Sequence, residues 1–535
     1  MTKVSAGFQS RYFWKKAGAL LAAAMAVATL SVVPDYAVGL FNPEYRAHFH
    51  LNTFLYIFLL SACLTAVKSR PAFYALSGAL WILVAGGFFY WLHFGRYFMA
   101  YDFNLLWRES GDVALAVLAD IAHYWFVLPL VLVPAWAGVM ARKYFEKKMF
   151  LSNWFLIAFA CALLFQAWEI GRVRYENMPN PTRYMLSNSL KSAVLFIMDS
   201  ARDGGAEPEF EPYKIEKAAY PGKATFILYM GESLNPDHMS VFGYGRPTTP
   251  KLARRAESGR LVMRRGISSS VVTGVSMQMF FNLQAEPQNY KMTLEKEANL
   301  FRLAKAQGFS TAFYSPQNSE VVSNIGLPFV DRVLYRDIDR KGFGGNGDEY
   351  AFRLLRETPR TGRDFLVVQM RAAHYPYEGA YANFPEYDVW RDESVSYKIN
   401  TYDNAMLYVD DLLDRVLEWA GGIEGKVYVL ITSDHGQMMG EDGLWGHSFL
   451  DRRVAEVPFI LWTKGVPEEE LHGIDKTPRP THNEIGRFIA RAFGVRVENP
   501  NTPADEFYIS GPDLGGRAGF LKYRKMGAEI IPLGG

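Results

Sequence analysis

Two short stretches carry side chains that can hold a metal ion. Ser433-Asp434-His435-Gly436 places an oxygen and a nitrogen ligand side by side, and His447 follows twelve positions later in Gly446-His447-Ser448. That donor mixture suits Zn²⁺ or Mn²⁺ better than a structural thiolate site. Gly231-Glu232-Ser233 offers a further hard oxygen, and Ala373-His374-Tyr375-Pro376 another imidazole. A hydroxyl nucleophile, if group transfer is the task, has five candidates in 266–276: Ser268, Ser269, Ser270, Thr273 and Ser276. Composition does not choose among the five. The same small residues suit a helix N-terminus that aims backbone N–H groups at an anion. Taken singly, each feature also has an ordinary reading, as an N-cap aspartate, a core histidine or a Ser/Thr-rich loop.

The elements that must position these groups follow from periodicity. Residues 427–432 form an apolar, β-branched run that ends in Ser-Asp-His-Gly, as a buried strand feeding a polar turn does. Further strands are expected over 225–230, 310–314, 365–370 and 458–462, and helices over 295–307, 402–420 and 483–492. Strands alternating with helices predict an α/β domain with a mainly parallel sheet covered by helices on both faces. In such a sheet the carboxyl ends of the strands lie together, where ligands bind. Glu232, His374 and Asp434-His435 all follow strands directly or within a few residues.

The chain has 535 residues, is 50% hydrophobic and 15% aromatic, and carries a formal charge of +2, which gives no sign of a nucleic-acid partner. The apolar residues crowd into uncharged runs at 17–33, 51–67, 71–95, 121–141 and 149–168. Each is near the roughly 20 residues that cross a bilayer, so about five transmembrane helices are expected. Arg11, Lys15 and Lys16 precede the first run, Lys68 and Arg70 follow the second, and Arg142, Lys143, Lys147 and Lys148 follow the fourth. The positive-inside rule then puts the N-terminus in the cytoplasm and everything after Trp168 outside. The expected organisation is a transmembrane domain over 1–170, bridging helices and a linker over 171–220, and an exported catalytic domain over 221–535. Within the bridge, 184–198 reads as an amphipathic helix on the membrane surface. Cys63 and Cys161 both fall inside expected spans, which excludes disulfides and thiolate ligands from the outer domain.

The motif order is distinctive. Gly231-Glu232-Ser233 is followed by Asp237-His238-Met239-Ser240-Val241-Phe242-Gly243-Tyr244 and Pro247-Thr248-Thr249-Pro250. Thr273-Gly274-Val275-Ser276, Ser433-Asp434-His435-Gly436 and Gly446-His447 come after. This set resembles the membrane-bound phosphoethanolamine transferases of Gram-negative bacteria, within the alkaline phosphatase/sulfatase superfamily. The resemblance implies a multi-pass inner-membrane enzyme with a periplasmic catalytic domain. It would move phosphoethanolamine from phosphatidylethanolamine to lipid A, lipopolysaccharide core or a periplasmic glucan through a phospho-threonine. It makes Thr273 the nucleophile, and has Glu232, Asp434, His435 and Thr273 hold a catalytic Zn²⁺. His374 and His447 match histidines that contact the phosphate, carry protons or bind a second metal, and Asn318 and Ser319 match a phosphate-contacting pair.

The chain also departs from the pattern. Gln437 stands where the family commonly has Glu, a Lys often found after the Asn-Ser pair is missing from 320–327, and no disulfide can form in the outer domain. The Cys-x-Pro-x-Arg motif of sulfate-ester hydrolysis is absent. A phosphoglycerol transferase using phosphatidylglycerol, or a non-catalytic membrane sensor, would share much of the same architecture.

Overall fold

The computed structural model describes residues 2–38, 49–94, 98, 102–103, 125–172, 184–202, 209–218, 220, 222–258, 261–318, 321–322, 324–512 and 518–533. The chain divides into two compact units, Met1–Gly205 making the bulk of one and Ala206–Met439 with Gly446–Asp513 the bulk of the other.

The first unit is helical. Among the described residues its α-helices are Thr2–Ser31, Val33–Val38, Leu51–Thr65, Arg70–Phe94, Leu128–Phe145, Trp154–Arg172 and Tyr184–Arg202. Among the described residues three stretches are long and apolar enough to cross a membrane: Arg11–Val38, Arg70–Leu92 and Trp125–Lys148. The second expected span coincides with the shorter apolar helix Leu51–Thr65, and the fifth with the helix Trp154–Arg172, whose described apolar stretch is Trp154–Phe165. Residues 121–124 of the fourth lie outside the described set. Leu59, Ile82, Leu132, Trp136 and Leu164 stay exposed, as side chains facing lipid tails would. Tyr184–Arg202 extends the expected amphipathic helix, but its first turns are buried inside the unit. Tyr184, Met185 and Leu186 have no more than 4% of their surface exposed, and a Cβ on Gly87 would meet Met185 at 3.3 Å. The surface-lying role read from the sequence therefore does not describe that half of the helix.

The second unit is built on a seven-stranded sheet. Across it the order is Leu261–Ile267, Glu456–Lys464, Lys426–Ser433, Ala224–Gly231, Arg363–Gln369, Ser310–Ser315 and Arg332–Tyr335. The five strands from Lys426–Ser433 to Arg332–Tyr335 pair in parallel. Glu456–Lys464 is antiparallel to both of its neighbours, so the sheet is mixed but mainly parallel, as expected. Every residue of Ala224–Gly231 is buried, which is why it reads as a continuous apolar run rather than an alternating one.

Helices cover both faces. Phe226, Leu228, Phe365, Tyr428 and Leu461 form one core with Phe281, Phe301, Ile485 and Phe488 from the helices on that side. Phe226 stacks on Tyr428 with ring centroids 4.1 Å apart. Gly347–Glu357 and Tyr397–Gly421 pack on the other face, where Tyr314 and Thr358 share a hydroxyl hydrogen bond of 2.7 Å. The edge strands Leu261–Ile267 and Arg332–Tyr335 escaped the sequence reading because they are largely half-buried and arginine-bearing, and the second has only four residues. A three-stranded antiparallel sheet, Glu506–Pro512, Ala518–Met526 and Glu529–Leu533, closes the chain.

Candidate active site

The carboxyl edge of the central sheet collects the expected residues. Ala224–Gly231 and Lys426–Ser433 are adjacent parallel strands in register, with Gly231 opposite Ser433. Glu232 and Asp434 are the next residues of the two strands, so register alone brings these carboxylates side by side. Gly231 and Gly436 let the backbones close up. A Cβ on Gly231 would lie 2.3 Å from Leu234 Cδ1, and one on Gly436 would lie 2.3 Å from the Glu456 carbonyl.

Glu232, Asp434 and His435 are all buried, and each offers one ligand atom within 4.8 Å of the other two. His435 Nε2 lies 3.4 Å from Asp434 Oδ2 and 3.7 Å from Glu232 Oε1. Hydrogen bonds outside the cluster fix each group. Asp434 Oδ1 accepts from the Ser233 N–H at 3.0 Å and the His435 N–H at 2.7 Å. Its other oxygen, Oδ2, is buried with no hydrogen-bond partner among the described residues. The His435 Nδ1–H faces the Gly436 carbonyl at 2.8 Å, so the lone pair sits on Nε2 and points into the cluster. Gln317 Nε2 donates to Glu232 Oε2 at 2.8 Å, and Arg371 donates in turn to Gln317 Oε1. A buried carboxylate oxygen without a donor is costly unless a cation faces it. Two carboxylates and an imidazole lone pair converging on one point fit a divalent metal ion.

Thr273 is the hydroxyl of the 266–276 segment that reaches this cluster. Its Oγ1 lies 3.0 Å from His435 Nε2 and 3.4 Å from Glu232 Oε1. It opens the helix Thr273–Phe281, whose N-cap residue, Val272, makes no side-chain cap. Three of the other four hydroxyls are otherwise engaged: Ser268 Oγ donates to the Ser270 carbonyl, Ser270 Oγ accepts from the Val272 N–H, and Ser276 Oγ donates to the Asp434 carbonyl.

The remaining expected residues fall into place unevenly. His447 is half-buried and stacks on His435, ring centroids 4.2 Å apart. Its Nδ1 lies 3.4 Å from Gln437 Oε1, while Gln437 Nε2 donates to the Tyr377 hydroxyl. His374 is half-buried, with Nδ1 at 2.5 Å from the Tyr375 carbonyl. Among the described residues, neither histidine belongs to the three-residue metal cluster. Asn318 directly follows Gln317, and Ser319 lies outside the described residues.

Sequence reasoning missed three supports of the site. His482 is fully buried, its Nε2 within 2.9 Å of the Ser433 carbonyl and its Nδ1 accepting from the Ser269 N–H at 3.2 Å. It ties the strand end before Asp434 to the segment that leads to Thr273. Burial without a charged partner pushes its pKa down to about 3, so it stays neutral. The Tyr402 hydroxyl donates to the Ser233 carbonyl at 2.7 Å and accepts from the Asn235 N–H at 2.9 Å. Gln317 is the third. A signal existed for His482 alone: Thr481 and Glu484 form a capping box around it at the start of its helix.

A mixed α/β sheet with helices on both faces, carrying a buried carboxylate–carboxylate–imidazole set against a helix-terminal threonine, defines a candidate metal-dependent ester-processing centre. The chain belongs to the sulfatase family, whose model matches residues 224–495, just over half of its length. It is similar to the Kdo(2)-lipid A phosphoethanolamine 7''-transferase of Salmonella typhimurium, 27% identical over 262 residues, 45% of each protein. It is also 24% identical over 290 residues to phosphoethanolamine transferase EptA of Helicobacter pylori, 51% of this chain and 54% of that one. The chain thus spans about half the length of the curated relatives it matches. Its fold is that of the integral membrane lipooligosaccharide phosphoethanolamine transferase A of Neisseria meningitidis. That likeness has a TM-score of 0.61 over 89% of this chain and 95% of the other, at 17% identity.

Proposed function

We propose that this chain transfers phosphoethanolamine from phosphatidylethanolamine to a phosphorylated cell-envelope glycolipid of the lipid A type, through a phospho-threonine at Thr273. The observation that carries the reading is the placement of Thr273 Oγ1 3.0 Å from His435 Nε2, inside the buried Glu232–Asp434–His435 set. The names of the relatives, lipid A phosphoethanolamine transferases among them, supply the substrate class. The apolar helices of the first unit support a membrane anchor, and the Lys/Arg-rich loops at its sequence-expected cytoplasmic ends support a catalytic unit exported to the periplasm.

Glu232, Asp434, His435 and Thr273 would hold Zn²⁺, which their oxygen-and-nitrogen donor set suits. Bound there, the ion supplies Lewis-acid stabilisation that lowers the pKa of a hydroxyl and offsets phosphate charge. Thr273 Oγ1 attacks the phosphorus, the bond to the diacylglycerol oxygen breaks, and that oxygen leaves with a proton. An acceptor oxygen then attacks the same phosphorus, gives up its proton, and frees Thr273. His447, stacked on His435, and His374 are assigned the proton transfers. Asn318 and Ser319 are assigned to the phosphate oxygens. The uncapped first turn of Thr273–Phe281 adds backbone N–H groups for the developing charge.

The test is mass spectrometry of the full-length protein in detergent after incubation with Zn²⁺ and phosphatidylethanolamine, with peptide mapping. A phosphoethanolamine adduct on Thr273 with released diacylglycerol is expected. A glycerol-phosphate adduct formed from phosphatidylglycerol instead would overturn the choice of donor, and an adduct elsewhere the choice of nucleophile.

A further inference from the structure

Beside the catalytic edge, three arginines converge on one carboxylate. Glu456 has 8% of its surface exposed and opens the strand Glu456–Lys464. Its Oε1 accepts from Arg452 Nη1 and from Arg479 Nη1, the latter at 3.0 Å, and its Oε2 accepts from Arg265 Nη1 at 3.4 Å. Arg265 Nη1 also donates to Asp237 Oδ1 at 2.6 Å. Three guanidiniums therefore meet two carboxylates, which leaves an excess of positive charge. Among the described residues, every hydrogen bond these three groups make to the protein runs through Nη1. Nε and Nη2 of each are left over, and that pair is the fork that grips a phosphate with two parallel hydrogen bonds. The side chains remain 26–37% exposed, so solutes can reach them. A buried carboxylate that gathers three arginines while leaving their forks unused preorganises them for an anion.

Its position gives the cluster a use. The residues just before Glu456 touch both halves of the catalytic centre. The Val454 carbonyl accepts from the Gly436 N–H at 2.7 Å, next to His435. The Ala455 carbonyl accepts from the Ser268 N–H at 2.8 Å, in the segment that leads to Thr273. Arg265 stands two residues before Ile267, which pairs with Glu456 across the sheet. An anion held here lies at the same sheet edge as the nucleophile.

The geometry points to Arg265, Arg452 and Arg479 as the subsite that binds a phosphate group of the glycolipid acceptor, holding it at the catalytic edge while another oxygen of the same molecule is modified. This assignment rests on the reading of the chain as a glycolipid-modifying transferase, and binding tests it separately from turnover. The probe is lipid A carrying both phosphates, in detergent micelles, against the same lipid after enzymatic removal of its phosphates. Affinity for the full-length protein is measured by thermophoresis. Wild type is expected to bind the phosphorylated form at least about tenfold more tightly, since each charge-assisted phosphate contact is among the stronger hydrogen bonds. Joint replacement Arg452→Gln with Arg479→Gln should cut that preference to less than about twofold, with wild-type metal content and melting temperature. Each single replacement keeps two guanidiniums on Glu456 and should lose about threefold. Should the joint variant fail to fold, the singles decide. A preference that survives undiminished in the folded joint variant, or in both singles, overturns the subsite. If wild type transfers nothing yet shows the arginine-dependent preference, the transferase reading fails and the anion site stands.

Discussion

Thr273 Oγ1 lies 3.0 Å from His435 Nε2, although the two residues are 162 positions apart in the chain. The helix start at 273 and the strand end at 433 are brought together by the sheet and by His482, which bonds to Ser433 and to Ser269. Thr273→Ala should lower transfer by on the order of 10⁴-fold or more, as loss of a nucleophile does. Ser276→Ala, three residues on, removes one buried hydrogen bond worth about 1 kcal/mol and should keep activity within about tenfold. Steady-state assays on the two variants check the contrast. Equal losses would mean that Thr273 is not distinguished from its neighbours.

Glu232 is aimed by Gln317, whose Nε2–H holds Oε2 and leaves Oε1 toward Thr273 and His435. Gln317→Leu fills similar space but releases the carboxylate. Groups that orient metal ligands contribute about 10–100-fold in affinity. Competition with a chromogenic zinc chelator should show a weakening of that size, with activity recovered at high Zn²⁺.

Gly436 is a packing requirement of the turn that carries His435. A methyl group there would lie 2.3 Å from the Glu456 carbonyl and 3.2 Å from that of Val454. Gly436→Ala should destabilise the catalytic unit by about 1–3 kcal/mol and displace the imidazole. A fall in melting temperature together with loss of bound zinc is the expected pair of readings.

Two buried groups tilt stability with pH in opposite directions. Burial raises the pKa of Asp348 from 3.8 to about 7, opposed by its hydrogen bond from the Arg371 N–H. The folded state thus keeps a proton that the unfolded chain releases. Asp348's stability contribution is full below pH 3.8 and is lost as pH rises through about 7. His482 does the reverse, since its pKa falls from 6.5 to about 3. Its contribution is full above pH 6.5 and is lost as pH falls toward 3. Asp348→Asn should therefore gain stability relative to wild type by roughly 1.4 kcal/mol per pH unit between about 4 and 7. Chemical unfolding of both proteins across that range checks the slope, and parallel curves would show that Asp348 is ionised in the fold.

The sequence by itself determined the parts that depend on local pattern. Apolar runs marked the helices of the first unit, although only three described stretches reach spanning length. Buried strands at 225–230 and 427–432 were legible because a strand covered on both faces is apolar at every position. The strand-end residues Glu232 and Asp434-His435 followed from the polar turns after those runs.

Only the tertiary structure decided what depends on register and on long-range contact. It placed the Thr273 hydroxyl against His435, a contact that composition alone could not assign among five hydroxyls and that the motif resemblance had suggested. Where the helix starts against the sheet sets which oxygen reaches the imidazole. It set the direction of Glu456–Lys464, antiparallel to both neighbours, since a short buried strand looks the same in sequence whichever way it runs. It found His482, Gln317 and Tyr402, whose side chains bond to residues far away in the chain. It also gathered Arg265, Arg452 and Arg479 on Glu456, four residues that sequence spacing never linked. Local patterning specifies elements because each residue's environment repeats along one segment. Chemistry at a sheet edge is assembled from several segments, and packing alone sets how those segments meet.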